Sequence, residues 1–234
     1  MEITVVSIGA LAANPLWGER DPVRTGHATT VLVRTEADGA GPPINLLVDP
    51  GLPAEALLAR LRERAGLGPE DITHVFLTSF QPDARRALPA FERAAWFLSG
   101  DEREAVGVPL AEGLKRLMTN FEDRDEQTEQ ILRTDIALLQ RCRPAPDRLA
   151  DGVDLFPLPG ITPGCCGLLL NARETILVCG DAVPTARHLA EGKLLPGAHD
   201  IDRARESFAE AVEIADLLIP GRDNLTINPL RRAF

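Results

Sequence analysis

The sequence predicts an α/β fold from three observations. Short segments rich in β-branched and aliphatic residues recur along the chain, and Gly, Pro and Asp clusters bound them as they bound strands. Segments in which apolar residues have helical spacing lie between them. The length of 234 residues allows a substantial core within one unit. We therefore predict one domain over residues 1–234.

The first part of the chain is predicted to contain strands and one amphipathic helix. Strands are predicted at residues 3–8, 29–34 and 44–48. Pro53 can occupy the first turn of the helix, and Gly66 can end it. The apolar positions with helical spacing are Leu57, Leu58, Leu61 and Ala65. A further apolar run at residues 72–78 then predicts a strand that leads into a polar loop at residues 79–83.

A charged, helix-favouring segment at residues 101–143 predicts a helical insert. Its apolar stripe, interrupted by solvated charges, comprises Ile131, Leu132, Ile136, Leu138 and Leu139, with Asp135 among them. The acidic stretch at residues 122–126 is interpreted as a solvated helix start rather than a ligand cluster. The stripe can cover either the domain or a second copy of the chain, so a homodimer is one expectation.

Strand and helix signals return in the last third of the sequence. Strands are predicted at residues 153–158, 165–170 and 175–179, a helix at residues 202–212, and a last strand at residues 216–219. No repeat of solenoid length interrupts this order.

Composition limits the partners. The net charge of -10 and the pI near 4.9 oppose binding to nucleic acid or to anionic lipid, because such binding needs clustered Lys and Arg. No apolar run approaches the length that crosses a bilayer, and the first residues lack the basic start of a signal peptide. We expect a cytoplasmic protein without membrane or nucleic-acid partners. The four cysteines form no dense pattern, so reduced thiols are expected.

Four segments carry a family resemblance, and they occur in the family's order. They are THVFLTSFQPDA at residues 73–84, PGITPGCCGLLL at residues 159–170, VCGDA at residues 178–182 and ADLLIPGRDN at residues 215–224. Together they resemble the metallo-β-lactamase superfamily, over about residues 26–100 and 152–228. The resemblance implies a four-layer αββα sandwich with the site at one edge of its two sheets, and it leaves the helical insert outside the matched part.

The resemblance also implies which residues form the former active-site cleft. They are Ser79, Gln81, Asp83, Ala84, Ile161, Asp181 and Arg222. Five of these positions carry metal-binding histidines in the family, and only the two aspartates keep the family's residue. Ile161 has no lone pair to offer, and Arg222 is permanently cationic. We therefore expect no resident cofactor, with zinc or another divalent metal as the alternative.

The replacement of a histidine by Arg222 suggests a specific hypothesis. A guanidinium fork can pair with Asp181 or Asp83 and neutralise carboxylates that metal ions hold in the family. A fixed cation would then stand where a bound one is expected. A guanidinium directed into solvent, away from both aspartates, would contradict this hypothesis.

Other readings of the same residues stay open. A substitute metal site could use Asp83, Asp181, Cys165 and one histidine. Ser79, His27 and Asp83 could be imagined as a nucleophilic triad, although no nucleophile-elbow glycines flank Ser79. The two aspartates could also form a general acid and base pair. His74 is interpreted as a structural residue at a sheet end, and a flap is expected around His188 and His199.

Two functions follow as expectations. The first is a non-hydrolytic or functionally diverged family member that binds a small molecule in the cleft or a protein partner through the insert. The second is a metal-dependent hydrolase of ester, thioester or lactone bonds with an unorthodox metal site. Fold alone does not choose between them.

Overall fold

The computed structural model describes residues 1–36, 43–119 and 125–231. Two six-stranded sheets pack face to face, and helices cover the outer face of each sheet, giving the four-layer αββα sandwich. The first sheet has the order β1-β2-β3-β4-β5-β6, with strands Glu2–Ser7, Thr30–Thr35, Ile44–Val48, His74–Leu77, Ala95–Leu98 and Arg143–Pro144. The second has the order β12-β11-β10-β9-β8-β7, and β7 to β12 are Arg148–Ala150, Val153–Pro157, Cys166–Asn171, Thr175–Gly180, Leu217–Pro220 and Thr226–Ile227.

The helices occur in the connections between strands. In chain order, α1 to α6 are Ala54–Ala65, Pro82–Arg85, Gly100–Thr119, Glu126–Arg141, Ala186–Glu191 and Ile201–Ile214. Helix α1 begins after Pro53 and ends at Gly66, whose φ of 67° is the left-handed conformation that closes many helices. The end expected at Gly66 is confirmed, whereas Pro53 is the N-cap residue before the first turn and not part of it. Helices α3 and α4 occupy the segment predicted as the helical insert.

Three apolar clusters lie between the four layers. The central cluster joins inward-facing residues of both sheets, such as Val31, Phe76 and Leu168. A second cluster packs α1, α3 and α4 on the first sheet, and Leu139 of the predicted stripe belongs to it. In contrast, Ile131 of that stripe is 53% exposed, so the stripe is only partly used for packing within the chain. The third cluster packs α5 and α6 on the second sheet.

The directions of the strands determine at which edge of the sandwich the site lies. Strands β3, β4 and β5 run parallel, and β10 runs parallel to β11 in the other sheet. Because the carboxyl ends of parallel neighbours meet at one edge of a sheet, the loops that follow β3, β4, β10 and β11 collect at one edge of the sandwich.

Several sequence predictions need correction. The strand ending at Ile219 is not the last one, because β12 follows it and pairs with it antiparallel. Strands β5, β6 and β7 were not predicted. His188, expected in a flap together with His199, lies in α5, is 1% exposed and shares a hydrogen bond with Thr185 through its Nδ1. Most of the acidic stretch at residues 122–126 lies outside the described residues, although Asp125 caps α4 by accepting from the amides of Gln127 and Thr128.

None of the helices within the described ranges combines the length and the apolar character that crossing a bilayer would require. All four cysteines are buried and unpaired thiols, as expected.

Candidate functional site

Four strand ends bring the acidic and basic residues of the site together. Asp49 directly follows β3, Asp83 lies in the short helix after β4, Asp181 follows β10, and Arg222 follows β11. The turn after β10 depends on Gly180, whose φ of 54° is a left-handed conformation. A Cβ at this position would also lie 2.6 Å from the hydroxyl of Thr78, so a larger residue would displace the neighbouring strand end.

Arg222 is the centre of the site. Its Nε donates to Oδ1 of Asp181 at 2.7 Å, and its Nη2 donates to Oδ2 of the same carboxylate at 2.6 Å. Its Nη1 donates to Oδ2 of Asp83. Two-point pairing of a planar guanidinium with a carboxylate fixes orientation as well as charge. The pairing expected from the sequence is therefore present, and it involves both aspartates.

Arg222 and Asp181 are buried, so their charges are balanced mainly by each other and by Asp83 and less by water. Arg222 and Asp181 are each 6% exposed, whereas the side chain of Asp83 keeps 30% of its surface exposed. Burial by itself lowers the pKa of Arg222, but the charge and hydrogen bonds of Asp181, together with those of Asp83, raise it well above its usual value. The guanidinium is therefore a permanent positive charge inside the site.

Asp49 is a third carboxyl group in the site, and the sequence analysis missed it. Its two side-chain oxygens accept from the backbone amide of Thr78 at 2.8 Å and from the Thr78 hydroxyl at 2.7 Å. The pKa of Asp49 is raised to about 7, chiefly by burial and also by the charge of Asp181, against the lowering effects of the Thr78 bonds and of the Arg222 charge. Near neutral pH this carboxyl group is therefore divided between its charged and neutral forms.

Asp49 predicts a pH dependence of stability. The folded protein holds this proton more tightly than the unfolded chain, because the pKa is about 7 rather than 3.8. Protonation thus favours folding, and that advantage is lost as the pH rises from about 4 to about 7. From pH 5 to pH 8 the wild type should therefore lose on the order of 2 kcal/mol of unfolding free energy through Asp49. Asp49→Asn should not show this loss, because the amide does not titrate.

Urea unfolding of both proteins at four pH values measures this difference. Other titrating groups, such as the buried His188, are common to both proteins and cancel in the comparison. A wild-type and variant difference that is constant from pH 5 to pH 8 would contradict the assignment.

The remaining residues predicted for the cleft lie around this network without entering it. Ser79, Ala84 and Ile161 are buried at 5%, 2% and 8% exposure, and Gln81 is half-buried before α2. Within the described residues, the hydrogen bonds of Arg222 join only Asp83 and Asp181 from the predicted set. The assignment of Ser79, Gln81, Ala84 and Ile161 to a ligand-binding cleft stays a prediction.

The residues at this edge do not fit the metal centre that the fold implies. The family-aligned positions offer hydroxyl, amide and alkyl groups where neutral imidazoles would be needed, and a fixed cation occupies both carboxylates. Among the described residues, no group of three or more His, Cys, Asp or Glu is arranged to hold a metal ion. Burial raises the pKa of the Cys165 thiol well above its usual value, which disfavours the thiolate that a substitute site would need.

The triad hypothesis also lacks its geometry. The two ring nitrogens of His27 face backbone carbonyls, Nε2 lying 3.1 Å from the oxygen of Ile8 and Nδ1 lying 3.4 Å from that of Thr25. Asp83 pairs with Arg222 rather than with this imidazole. The ring is thus held by backbone and is not oriented as a base for Ser79.

A buried glutamate supports the two loops beside the site. Oε1 of Glu102 accepts from the amide of Phe80 at 2.9 Å, and its Oε2 accepts from the amide of Gly164 at 3.1 Å. Glu102 is 1% exposed and lies in the first turn of α3. A Cβ on Gly164 would lie 1.9 Å from the Glu102 nitrogen, so this close approach requires glycine. The predicted insert is therefore joined to the site and is not peripheral to it.

Helix α4 is also connected to the loop after β4. Arg85 donates from Nε to the carbonyl of Phe80 at 2.9 Å, stacks on the Phe80 ring at 4.2 Å and forms an ion pair with Asp135 at 2.8 Å. Asp135, which interrupts the predicted apolar stripe, thereby fixes α4 against the site loop.

A cavity of about 230 Å³ is lined in part by Arg222. Its walls are the loop after β1, the start of α5 and the turn after β11. The lining residues are Gly9, Ala10, Leu11, Asn14, Trp17, Arg24, Thr185, Arg187, Arg222 and Asp223. Arg222 is the only one of these that the sequence analysis placed in the cleft.

The two sheets and their outer helices define the chain as an αββα sandwich with a polar cluster at one sheet edge. The family model of the metallo-beta-lactamase superfamily matches residues 24–221. The chain belongs to this superfamily.

Solved structures agree on the fold. A metallo-beta-lactamase from Thermotoga maritima is 17% identical, with a TM-score of 0.65 over 97% of this chain and 98% of its own. AidC, a dizinc quorum-quenching lactonase, is 19% identical, with a TM-score of 0.64 over 86% of this chain and 74% of its own. AbOPH, a hydrolase of the beta-lactamase superfamily, is 15% identical, with a TM-score of 0.60 over 92% of this chain and 83% of its own. A search of curated protein sequences finds no match.

Proposed function

We propose that this chain is a non-hydrolytic, diverged member of the superfamily that binds a small molecule in the cleft beside Arg222. One observation carries the proposal: the guanidinium pairs with both Asp83 and Asp181, the two carboxylates that the resemblance assigns to metal binding. A divalent cation brought to these carboxylates would meet a fixed positive charge at short range, at a cost of several kcal/mol. Hydrolysis by the family's metal chemistry is therefore disfavoured.

The cavity supports a binding role. It adjoins Arg222 and is bounded by elements from both ends of the chain, so that its shape depends on the folded protein. Concave, largely apolar sites with a few polar groups are the usual form of small-molecule sites. We further propose a protein partner, or a second copy of the chain, for the helical insert, where Ile131 is exposed. A cytoplasmic location without nucleic-acid partners accords with the net charge of -10.

A metal-dependent hydrolase of esters, thioesters or lactones is the second candidate. The observation that favours it is the third carboxyl group, since Asp49 lies within electrostatic reach of Asp181 and Arg222. When ionised, three carboxyl groups carry more negative charge than one guanidinium can neutralise. The similarly folded AidC is a dizinc lactonase, which shows that this chemistry occurs on a similar fold.

Metal analysis of tag-free protein separates the two candidates. We expect zinc, manganese and iron well below one ion per chain after purification without chelator, and no chelator-sensitive hydrolysis of ester, thioester or lactone substrates. Asp181→Asn serves as the control, because it removes a carboxylate that either metal or Arg222 would use. Stoichiometric metal in the wild type that falls in this variant, together with chelator-sensitive hydrolysis, would establish the enzyme instead.

A further inference from the structure

The cavity beside Arg222 has more guanidinium groups than carboxylates on its walls, although the whole chain is acidic. Arg24, Arg187 and Arg222 line it, with Asp223 as the acidic residue. Each oxygen of Asp223 already accepts a backbone hydrogen bond, Oδ2 from the amide of Ala186 at 3.1 Å and Oδ1 from that of Asn224 at 2.8 Å. Asp223 therefore has less acceptor capacity for a ligand than an unpaired carboxylate.

The three guanidinium groups differ in how many of their nitrogens already donate hydrogen bonds within the protein. Arg222 uses three nitrogens on its aspartates, and Arg24 is held by the carbonyl of Leu11 and by both oxygens of Glu19. Arg187 uses only Nε among the described residues, donating to Glu191 at 2.8 Å. Its two terminal nitrogens are therefore available to an anion at the cavity rim.

Another part of the cavity lining is apolar. Ala10, Leu11 and Trp17 come from the loop after β1, and the Trp17 side chain is held over the Arg24 guanidinium at 5.5 Å. Trp17 is nevertheless 61% exposed, and an indole left this exposed beside a cavity gains free energy when a ligand covers it. The rim thus combines an available cation with an uncovered aromatic surface.

The size of the cavity limits the ligand. Its volume of about 230 Å³ is below the range of roughly 300–1,000 Å³ that holds drug-sized molecules. Resting on the function proposed above, we propose that the cavity binds a small organic carboxylate with a short apolar chain. The carboxylate pairs with the terminal nitrogens of Arg187, and the chain packs against Trp17 and Leu11.

Intrinsic fluorescence tests this proposal, because the chain has only two tryptophans. Trp96 is 2% exposed and its Nε1 donates to the carbonyl of Phe91, so its signal should not respond to a ligand in the cavity. The probes are hexanoate, hexanamide and hexylamine at constant ionic strength. We expect a saturable change with hexanoate, binding of the amide and the amine about tenfold weaker or worse, and no change in Trp17→Phe.

A pair of arginine variants provides the specificity control, with hexanoate binding followed by calorimetry. Arg187→Gln should weaken binding about tenfold, the loss of roughly one charged hydrogen-bonded contact. Arg205→Gln should leave it unchanged, because Arg205 forms a similar exposed helical ion pair, with Asp202, away from the cavity. Both positions are more than half exposed, so neither change should unfold the protein.

Two results would overturn the proposal. If hexanamide or hexylamine binds as tightly as hexanoate, the carboxylate class is wrong while small-molecule binding in the cavity beside Arg222 stands. If none of the three probes gives saturable binding to folded wild-type protein, the cavity is not a site for this class of ligand. The metal analysis judges the proposed non-hydrolytic function separately, so the two failures are distinguishable.

Discussion

Replacing Arg222 with methionine is expected to lower the free energy of unfolding by about 3–5 kcal/mol, the range for a buried ion pair that loses one partner. Methionine keeps the unbranched shape but leaves the carboxylate of Asp181, which is 6% exposed, without its two-point partner. Urea unfolding at neutral pH measures the loss. Arg205→Met is the control, because its exposed ion pair should contribute less than about 1 kcal/mol.

The same variant should acquire a response to metal ions. Without the guanidinium, Asp83 and Asp181 repel each other, and a divalent cation can relieve that repulsion. We expect Mn²⁺ to raise the melting temperature of Arg222→Met but not that of the wild type. Asp181→Asn in the same background should recover part of the lost stability and abolish the response, because the amide carries no charge. A cost below about 1 kcal/mol, or equal metal responses in both proteins, would contradict the role of Arg222.

The second large effect is expected at Glu102. Glu102→Ala leaves the buried amides of Phe80 and Gly164 without their acceptors, and each such loss costs about 1–3 kcal/mol. We expect a total of about 2–5 kcal/mol by urea unfolding. Glu104→Ala, on an exposed position of the same helix, should change the unfolding free energy by less than about 0.5 kcal/mol.

Hydrogen exchange gives a local measure for Glu102. The amides of Phe80 and Gly164 should exchange faster in Glu102→Gln, which retains one acceptor oxygen, and faster again in the alanine variant, if the latter remains folded. Unchanged protection of both amides in the glutamine variant would show that other groups hold the two loops.

The parts of the fold that follow from local pattern were predicted well. Strand β3 was predicted at its observed bounds, and α1 ends at the expected Gly66, because aliphatic runs and left-handed glycines mark their elements locally. Strands β6 and β12 have only two residues each, too few for any periodic signal. Their pairing depends on neighbouring strands and not on their own sequence.

The candidate site also has parts that the sequence predicts and parts that it does not. The family resemblance identified Arg222 and its aspartates, whose pairing follows from charge and geometry. Asp49 was missed, although a Val-Asp-Pro-Gly turn after a predicted strand was a signal for it. Glu102 could not be found, because its partners lie 22 and 62 residues away and only the folded chain brings them together. The cavity depends on the loop after β1, whose shape no local pattern specifies.

A counter-ion that is part of the polypeptide behaves differently from one taken up from solution. The guanidinium of Arg222 has no dissociation constant and cannot be diluted away, so the carboxylates of Asp83 and Asp181 have a hydrogen-bonded cation as soon as the chain folds. Maturation of this cleft would then require no delivery of an ion and would be indifferent to scarcity of zinc or iron in its surroundings. If the proposed function holds, the cleft would keep its shape when metal ions are depleted.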